Sequence, residues 1–452
     1  MNEIIIKNGH VIDPLNNIDG KFSVIIRDGK IFDIKKGADR AGSSRAGSSR
    51  AGGSRAGANG SAIDVSGAII APGFVDIHTH LREPGFEYKE DIESGLKAAV
   101  AGGFTSICCM PNTNPVNDSG SITECLLKRA CSVGLSRLFP VGAISKTLKG
   151  EQLADIGDQA EAGAAAISDD GRSVMNSLLM RRAAEYASTF GLAIMDHCED
   201  TNLAASGVMN EGWVATELGL RGLPSAAEEA HVARDIALSK LTGAHFHLTH
   251  ISSAGSVELI RAAKRKRINV TSDCTPHHLV LTDEAVRGYN TNFKVNPPLR
   301  SAEDVKELIR GLADGTIDAI ASDHAPQGLV DKELGFDTAA FGVIGMETSL
   351  PVVLKLVHEK KLSLKRMIEL FASGLNVLKK SKYSGGIKKG SAADITIFNV
   401  NDNVAIDSSK IYSRSRNTPF EGWKLKGKVL YTIVGGRVVF DHEKGISPAG
   451  GW

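Results

Sequence analysis

This sequence of 452 residues contains neither a long apolar run nor an N-terminal leader pattern. No uninterrupted apolar stretch approaches the roughly 20 residues that a membrane-spanning helix needs. Residues Met1–Lys7 lack the basic segment and the long apolar segment of a secretory signal. We therefore expect a cytoplasmic protein that does not contact a membrane.

Cysteine is scarce, and neither sign of charge is in excess. The six cysteines form no C-x-x-C pair, which argues against a structural zinc site or a redox motif and favours reduced, buried thiols. The formal net charge of +1 provides no excess of positive charge that would attract nucleic acid. No glycine-rich phosphate-binding motif is present, so we expect no requirement for ATP. The remaining candidate partner is a small molecule.

One low-complexity segment, Ala38–Gly60, repeats Arg-Ala-Gly-Ser-Ser with small variations. It has no aromatic residue and one acidic residue, so it cannot bury enough surface to offset the entropy lost on ordering. We expect a mobile loop. Its arginines could in principle bind RNA, but no aromatic side chain is there to stack on a base.

From Ala71 onwards, short β-branched runs alternate with amphipathic segments, which is typical of a parallel α/β fold. Helices are expected at Asp91–Ala101, Ser173–Phe190, Ser225–Leu241 and Ala302–Leu312. The eight runs are Phe74–His78, Thr105–Met110, Leu138–Ala143, Ala164–Ser168, Leu192–His197, His245–His250, Asn269–Asp273 and Ala319–Asp323. Eight units predict an α/β protein with a TIM-type (β/α)8 barrel over residues 71–385.

Both ends of the chain have a different pattern, with short alternating strands and hairpin turns. Asp28-Gly29 marks one turn, and Gly435-Gly436 marks another near the C-terminal end. We expect residues 1–70 and 386–452 to pair into one small β-sandwich domain beside the barrel.

Polar residues stand at or just after the ends of five of the eight runs, where a barrel of this type keeps its active site. His78 and His80 point the same way because side chains alternate along a strand. This pair alone could be a buried, hydrogen-bonded one. The other strand ends add further candidate ligands: Asp170, His197, His250 and Asp323. Imidazoles and carboxylates together suit one or two Zn²⁺ ions, which lower the pKa of bound water and polarise a carbonyl.

With these motifs the sequence resembles the dihydroorotases of the amidohydrolase superfamily, of the bacterial type with an aspartate in place of a carboxylated lysine. The resemblance implies that His78, His80 and Asp323 hold a first metal ion. It implies that His197 and His250 hold a second, and that Asp170 bridges the two. No lysine ends the fourth run, which argues against hydantoinases and most allantoinases.

The resemblance also assigns a group of residues that contact the substrate, which we call the substrate side of the site. Arg82, in His-Leu-Arg-Glu-Pro-Gly, matches the family's clamp on the substrate carboxylate, and Asn112 and Asn296 match its polar contacts. Phe341-Gly342 matches a backbone contact to the ring. Gln327 departs from the family, which has a histidine after Asp-His-Ala-Pro, so we expect weaker binding of the substrate carboxylate because glutamine carries no charge.

The activity implied is reversible cyclisation of N-carbamoyl-L-aspartate to dihydroorotate in pyrimidine biosynthesis, with Asp323 as general base and acid. A homo-oligomer, specifically a dimer, is expected, and association with aspartate carbamoyltransferase is left open. Two alternatives also stay open. One is a related cyclic amidohydrolase of the allantoinase or hydantoinase kind, and the other is a weakly active scaffold subunit, which only Gln327 favours.

Overall fold

The computed structural model describes residues 3–36, 60–380 and 385–447. The repeat predicted to be a mobile loop therefore lies outside the described residues, apart from its last residue, Gly60. Within the described part of the chain, no helix has both the length and the apolar character needed to cross a membrane.

The N-terminal segment forms five strands of a mixed sheet. Asp28 and Gly29 both have positive φ angles, of 47° and 78°, which matches the two-residue turn predicted between the second and third strands. The strands are β1 (Glu3–Asp13), β2 (Ile18–Arg27), β3 (Lys30–Lys36), β4 (Gly60–Asp64) and β5 (Ile69–Pro72).

Eight parallel strands follow, each within a few residues of a predicted run, and they form the barrel in chain order. A parallel bridge between Thr79 and His324 joins the last strand to the first, and the His80 amide donates to the His324 carbonyl at 2.8 Å. This closure confirms the predicted barrel. The eight strands are β6 (Phe74–Thr79), β7 (Phe104–Cys109), β8 (Arg137–Gly142), β9 (Ala166–Ile167), β10 (Ala193–Asp196), β13 (Phe246–Leu248), β14 (Val270–Cys274) and β15 (Ala319–Ile320), and the short pair β11 (Met209–Asn210) and β12 (Gly222–Leu223) lies between β10 and β13.

Helices connect these strands, and side-chain caps fix where several of them begin. Asp91 accepts from the Ser94 amide at 2.7 Å and starts the first helix, as expected. Asn176 caps the fourth, which therefore begins at Ser177 rather than at the predicted Ser173. The described helices are α1 (Ile92–Ala101), α2 (Gly120–Val133), α3 (Ile156–Glu161), α4 (Ser177–Thr189), α5 (Thr201–Ala204), α6 (Trp213–Leu218), α7 (Ser225–Thr242), α8 (Ala254–Arg265), α9 (Pro276–Val280), α10 (Ala302–Asp314), α11 (Leu329–Lys332), α12 (Met346–His358), α13 (Leu364–Ala372) and α14 (Gly374–Val377).

The C-terminal strands complete the first sheet. They are β16 (Ile395–Ala405), β17 (Lys424–Val434), β18 (Arg437–Asp441) and β19 (Gly445–Ile446). β16 pairs antiparallel with β5, so the two ends of the chain share one sheet as predicted. The sheet curls back on itself. Lys30 at the start of β3 forms a bridge with Ala392, just before β16, and Ile31, Ile70 and Ile433 from three strands pack into one apolar cluster.

The barrel interior is packed with apolar side chains below the strand ends. Strands on opposite sides contribute to one buried cluster, for example Val75 and Ile77 of β6 with Ala193 and Met195 of β10. The interior below the rim is therefore a filled core.

Four phenylalanines join the barrel to the curled sheet. The Phe74 ring stacks on Phe371 of α13 at a centroid distance of 5.0 Å. Its ring centroid lies 5.7 Å from that of Phe398 of β16 and 6.3 Å from that of Phe104 of β7. All four side chains are buried, so this cluster fastens the first barrel strand to both its helical layer and the neighbouring sheet.

We expect Phe74→Ala to lower the free energy of unfolding by about 3–5 kcal/mol, because it removes a buried ring that touches three others. Chemical denaturation followed by circular dichroism measures this change. Phe32→Ala is the matched control, since Phe32 is 42% exposed, and it should cost little. Equal destabilisation by the two variants would contradict the role given to the cluster.

Candidate metal centre and its substrate side

The six sequence-predicted ligands converge at one end of the barrel, where the carboxyl ends of the strands meet. Each is nine-tenths buried or more. Two belong to β6 and the residue after it, and the other four follow β9, β10, β13 and β15 within three residues. The set is His78, His80, Asp170, His197, His250 and Asp323.

Three of these residues form a first group. Oδ1 of Asp323 lies 3.2 Å from Nε2 of His80 and 3.6 Å from Nε2 of His78. Ligand atoms about 2.0–2.2 Å from a tetrahedral metal ion are roughly 3.3 Å apart, so these separations suit one ion.

The Asp170 carboxylate lies between this group and a second one. Its Oδ1 is 3.3 Å from Nε2 of His78 and 3.6 Å from Nε2 of His250, and its Oδ2 is 3.5 Å from Nε2 of His80. Nδ1 of His197 lies 3.0 Å from Nε2 of His250 and 3.9 Å from Oδ1 of Asp170. One carboxylate thus faces both groups, which is the arrangement that a bridging ligand requires.

Unsatisfied atoms indicate that this cluster is built for cations. Among the described residues, no hydrogen-bond partner exists for either ring nitrogen of His78 or for Oδ1 of Asp170, although all three atoms are buried. Burial alone would lower the pKa of His78, but the charges of Asp170 and Asp323 raise it to about 10. The negative potential that would hold a proton there favours metal ions equally well.

Neighbouring polar groups hold the ligands in position. Asn112 Oδ1 lies 2.9 Å from Nδ1 of His80, which leaves Nε2 for the metal side. His250 and Asp323 have left-handed backbones, with φ angles of 36° and 46°, which is unusual for these residue types. The Asp273 carboxylate accepts from the His250 amide at 2.8 Å and stabilises that conformation.

The sequence analysis gave no role to Glu199, which the structure places between the ligands and the substrate side. Its Oε2 lies 3.4 Å from Nε2 of His197 and accepts from Nδ2 of Asn296 at 2.7 Å. Burial would raise its pKa, but His197 and Asn296 lower it to about 2, so the group is ionised. Its position two residues after His197 was the one sequence signal that could have indicated this contact.

Besides Asn112, two further residues of the predicted substrate side border the cluster. Nε of Arg82 donates to the Pro326 carbonyl at 3.1 Å, three residues beyond Asp323. Oδ1 of Asn296 is buried and has no hydrogen-bond partner in the described part of the chain. It is therefore available as an acceptor for a donor on a bound molecule.

Gln327 has both sides of its amide engaged. Oε1 accepts from Nζ of Lys89 at 2.7 Å, and Nε2 donates to the Phe341 carbonyl at 2.7 Å. The Gly342 amide donates to the Lys294 carbonyl at 2.9 Å. A cation therefore stands next to Gln327 on Lys89, a residue that the sequence analysis did not single out, and Oδ2 of Asp331 lies 3.4 Å from the same Nζ.

A third cluster that could be mistaken for a metal site lies behind His197. It comprises Asp196, Cys198 and Asp235. Nη2 of Arg234 lies 3.0 Å from Oδ2 of Asp196 and 2.7 Å from Oδ1 of Asp235. The guanidinium already supplies the positive charge, so this cluster is a buried ion-pair network and not a place for a metal ion.

Comparison with known proteins identifies close relatives. Residues 67–256 match the family model "Dihydro-orotase-like", and residues 225–440 match "Amidohydrolase family". The chain is 48% identical over 444 residues to the dihydroorotase of Anaeromyxobacter sp. (strain K), covering 98% of both chains. It is 48% identical over 445 residues to the dihydroorotase of Syntrophus aciditrophicus (strain SB), covering 98% of this chain and 100% of that one.

Solved structures with the same fold have other substrates in their names. The L-hydantoinase (dihydropyrimidinase) of Arthrobacter aurescens superimposes with a TM-score of 0.85 at 25% identity, over 99% of this chain and 98% of that one. The dihydropyrimidinase of Brevibacillus agri NCHU1002 gives a TM-score of 0.82 at 22% identity, over 99% of this chain and 97% of that one. The second likeness shows the shared fold alone.

We expect the purified protein to carry one or two divalent metal ions per chain, and Asp170→Ala to lose most of them because it removes the shared carboxylate. Elemental analysis after gel filtration measures the content. Cys198→Ser is the matched control, since its sulfur contacts Asp235 and not the ligand cluster, and it should keep full content. Unchanged metal content in Asp170→Ala would contradict the assignment.

Proposed function

The chain belongs to the dihydroorotase family of the amidohydrolases, and we propose that it interconverts N-carbamoyl-L-aspartate and dihydroorotate at the cluster on the barrel rim. It is a hydrolase of cyclic amides, and its family is metal-dependent. The observation that carries the proposal is the conjunction of six converging ligands with Arg82 and the unpartnered Oδ1 of Asn296 beside them. These groups suit a ring that has a carboxylate and a polar N–H.

The distances support a metal centre in which Asp170 faces two groups of ligands, and the resemblance to the dihydroorotases supports their division. We propose that His78, His80 and Asp323 hold one Zn²⁺, that His197 and His250 hold the other, and that Asp170 bridges them. When bound, such ions supply a Lewis acid that polarises the amide carbonyl and stabilises negative charge on its oxygen.

Asp323 is the residue placed to move the proton. Burial alone would raise its pKa, but the hydrogen bond with His80 and the charge of His78 lower it well below its ordinary value. The carboxylate is therefore ionised and can accept a proton from the attacking water. It then delivers that proton to the ring nitrogen as the C–N bond breaks. In the cyclisation direction it takes the proton from the ureido nitrogen and gives it to the departing hydroxyl.

Arg82 and Asn296 orient the substrate. A guanidinium fork pairs with a carboxylate through two parallel N–H donors, and Arg82 is partly exposed toward the rim. Oδ1 of Asn296 accepts from a ring N–H, while Nδ2 is anchored to Glu199. Gln327 accepts through its amide oxygen from Nζ of Lys89 at 2.7 Å, and Asp331 lies 3.4 Å from the same ammonium group, so this pair adds little net positive charge near the carboxylate end.

Three finer expectations accompany this proposal: a dimer, association with aspartate carbamoyltransferase, and a cytoplasmic location. The hydantoinase-like alternative predicts turnover of hydantoins or allantoin in place of dihydroorotate. The scaffold alternative predicts no turnover of any cyclic amide by protein with its full complement of metal. Turnover of dihydroorotate by the unmodified, metal-loaded protein distinguishes all three functions.

We expect Asp323→Asn to lower kcat for dihydroorotate hydrolysis by roughly 10²–10⁴-fold, because an amide cannot take the water proton. Chromatographic separation of dihydroorotate and N-carbamoyl-aspartate measures the rate. Asp402→Asn is the control, since Asp402 is exposed at an irregularity in strand β16, and this change should leave kcat unchanged. A kcat within a few fold of wild type would remove Asp323 from proton transfer.

We expect Arg82→Ala to raise KM for dihydroorotate by roughly 10- to 150-fold with a smaller effect on kcat, because one charge-assisted contact contributes about 1.5–3 kcal/mol. Arg181→Ala is the control, since Arg181 lies exposed on α4 and pairs only with Glu185 among the described residues. If KM for dihydroorotate is the same in Arg82→Ala and wild type, the arginine does not bind the carboxylate.

A further inference from the structure

Two lysines are buried beside the substrate side of the site. Lys294 is 2% exposed and stands two residues before Asn296, and Lys332 is 5% exposed and ends α11. Burial of an ammonium group is costly unless it is fully hydrogen-bonded, so two such groups next to each other need a reason.

Lys332 uses all three of its donors on backbone carbonyls. Its Nζ donates to Thr291 at 2.8 Å, to Ala340 at 2.8 Å and to Lys294 at 3.3 Å. The Thr291 hydroxyl in turn donates to the Lys332 carbonyl at 2.7 Å. One ammonium group therefore ties the segment that carries Asn296 to the loop that follows the last barrel strand.

Lys294 makes the reciprocal connection. Its Nζ donates to the carbonyls of Phe336 at 2.7 Å and Asp337 at 3.1 Å, and it lies 4.6 Å from the Phe341 ring centroid. The Lys294 carbonyl also accepts from the Gly342 amide at 2.9 Å. The two lysines thus bond five carbonyls across residues 291–294 and 336–340.

The hydrogen-bond acceptors of both ammonium groups are backbone carbonyls in the described part of the chain. Burial and the charge of Lys294 lower the pKa of Lys332 to about 7, against the opposing effect of Asp331. Burial lowers the pKa of Lys294 to about 8, and the charges of Asp337 and Arg221 act in opposite directions on it.

We propose that Lys294 and Lys332 are positioning residues, which hold residues 291–296 against residues 336–342 and so set the place of the Asn296 amide relative to the metal ligands. Glu199 anchors the Asn296 side chain from the barrel, whereas Lys332 anchors the backbone at Lys294, two residues before Asn296. The inference rests on the proposed function for the role of Asn296, but the clamp itself is independent of it.

The first experiment compares Lys332→Met and Lys294→Met with wild type in dihydroorotate hydrolysis. We expect KM to rise about tenfold, because small displacements of binding groups carry large penalties, while kcat stays within about twofold. Lys332→Arg keeps charge and donors and should recover part of the loss. Lys128→Met is the matched control, since Lys128 is exposed on α2, and its KM should equal that of wild type.

A double-mutant cycle identifies the residue through which Lys332 acts. In an Asn296→Ala background, Lys332→Met should change KM by less than twofold, because the group that it positions is gone. Full additivity of the two effects on KM would overturn the proposal. If Lys332→Met does not fold, Lys332→Gln, which keeps two N–H donors, takes its place in the same cycle.

Hydrogen exchange separates a failure of this inference from a failure of the proposed function, since it needs no substrate. Mass spectrometry should find faster exchange in residues 338–345 of Lys332→Met, where the Gly342 amide is bonded to Lys294. Unchanged exchange there would overturn the clamp. Faster exchange in a protein that does not turn over dihydroorotate would support the clamp and contradict the proposal that dihydroorotate is the substrate.

Discussion

The parallel bridge between Thr79 and His324 is the contact on which the site depends. An open sheet of eight strands would hold its edge strands roughly 34 Å apart. Closure instead brings the end of the first strand beside the end of the last, so that His80 and Asp323 approach to 3.2 Å. No local property of either segment produces this proximity. It follows from strand number, tilt and the packed apolar interior below the rim.

The ligands are held by a surrounding set of polar contacts that balance the buried charge. Asn112 fixes the His80 ring, Glu199 faces His197, and Asp273 fixes the backbone of His250. The contacts with Asn112 and Glu199 each leave the other ring nitrogen of the histidine facing the cluster, where the carboxylate of Asp170 meets both groups. These contacts fix the ligand side chains in place, which reduces the cost of binding a cation.

The substrate side is organised differently, by side chains that bond to loop backbones. Asn417 lies in the segment between β16 and β17. Its Oδ1 accepts from the backbone N–H of Gln327 at 3.2 Å, and its Nδ2 donates to the carbonyls of Ala325 and Gly342. The curled sheet thus contributes to the geometry of the barrel rim. Gln327, the departure from the family pattern, is held through its side-chain oxygen by Lys89, whose ammonium group also pairs with Asp331.

The sequence by itself determined the eight strands, the pairing of the chain ends and the six candidate ligands, because period-two alternation and strand-end polarity are local properties. It could not indicate that Lys89 meets Gln327, or that Lys294 and Lys332 bond five carbonyls, because these partners come from loops far apart in the chain. Nor could it show that Arg234 neutralises the Asp196 cluster. Such contacts depend on where loops pack after the barrel closes, and a buried ammonium has no sequence pattern that distinguishes it from an exposed one.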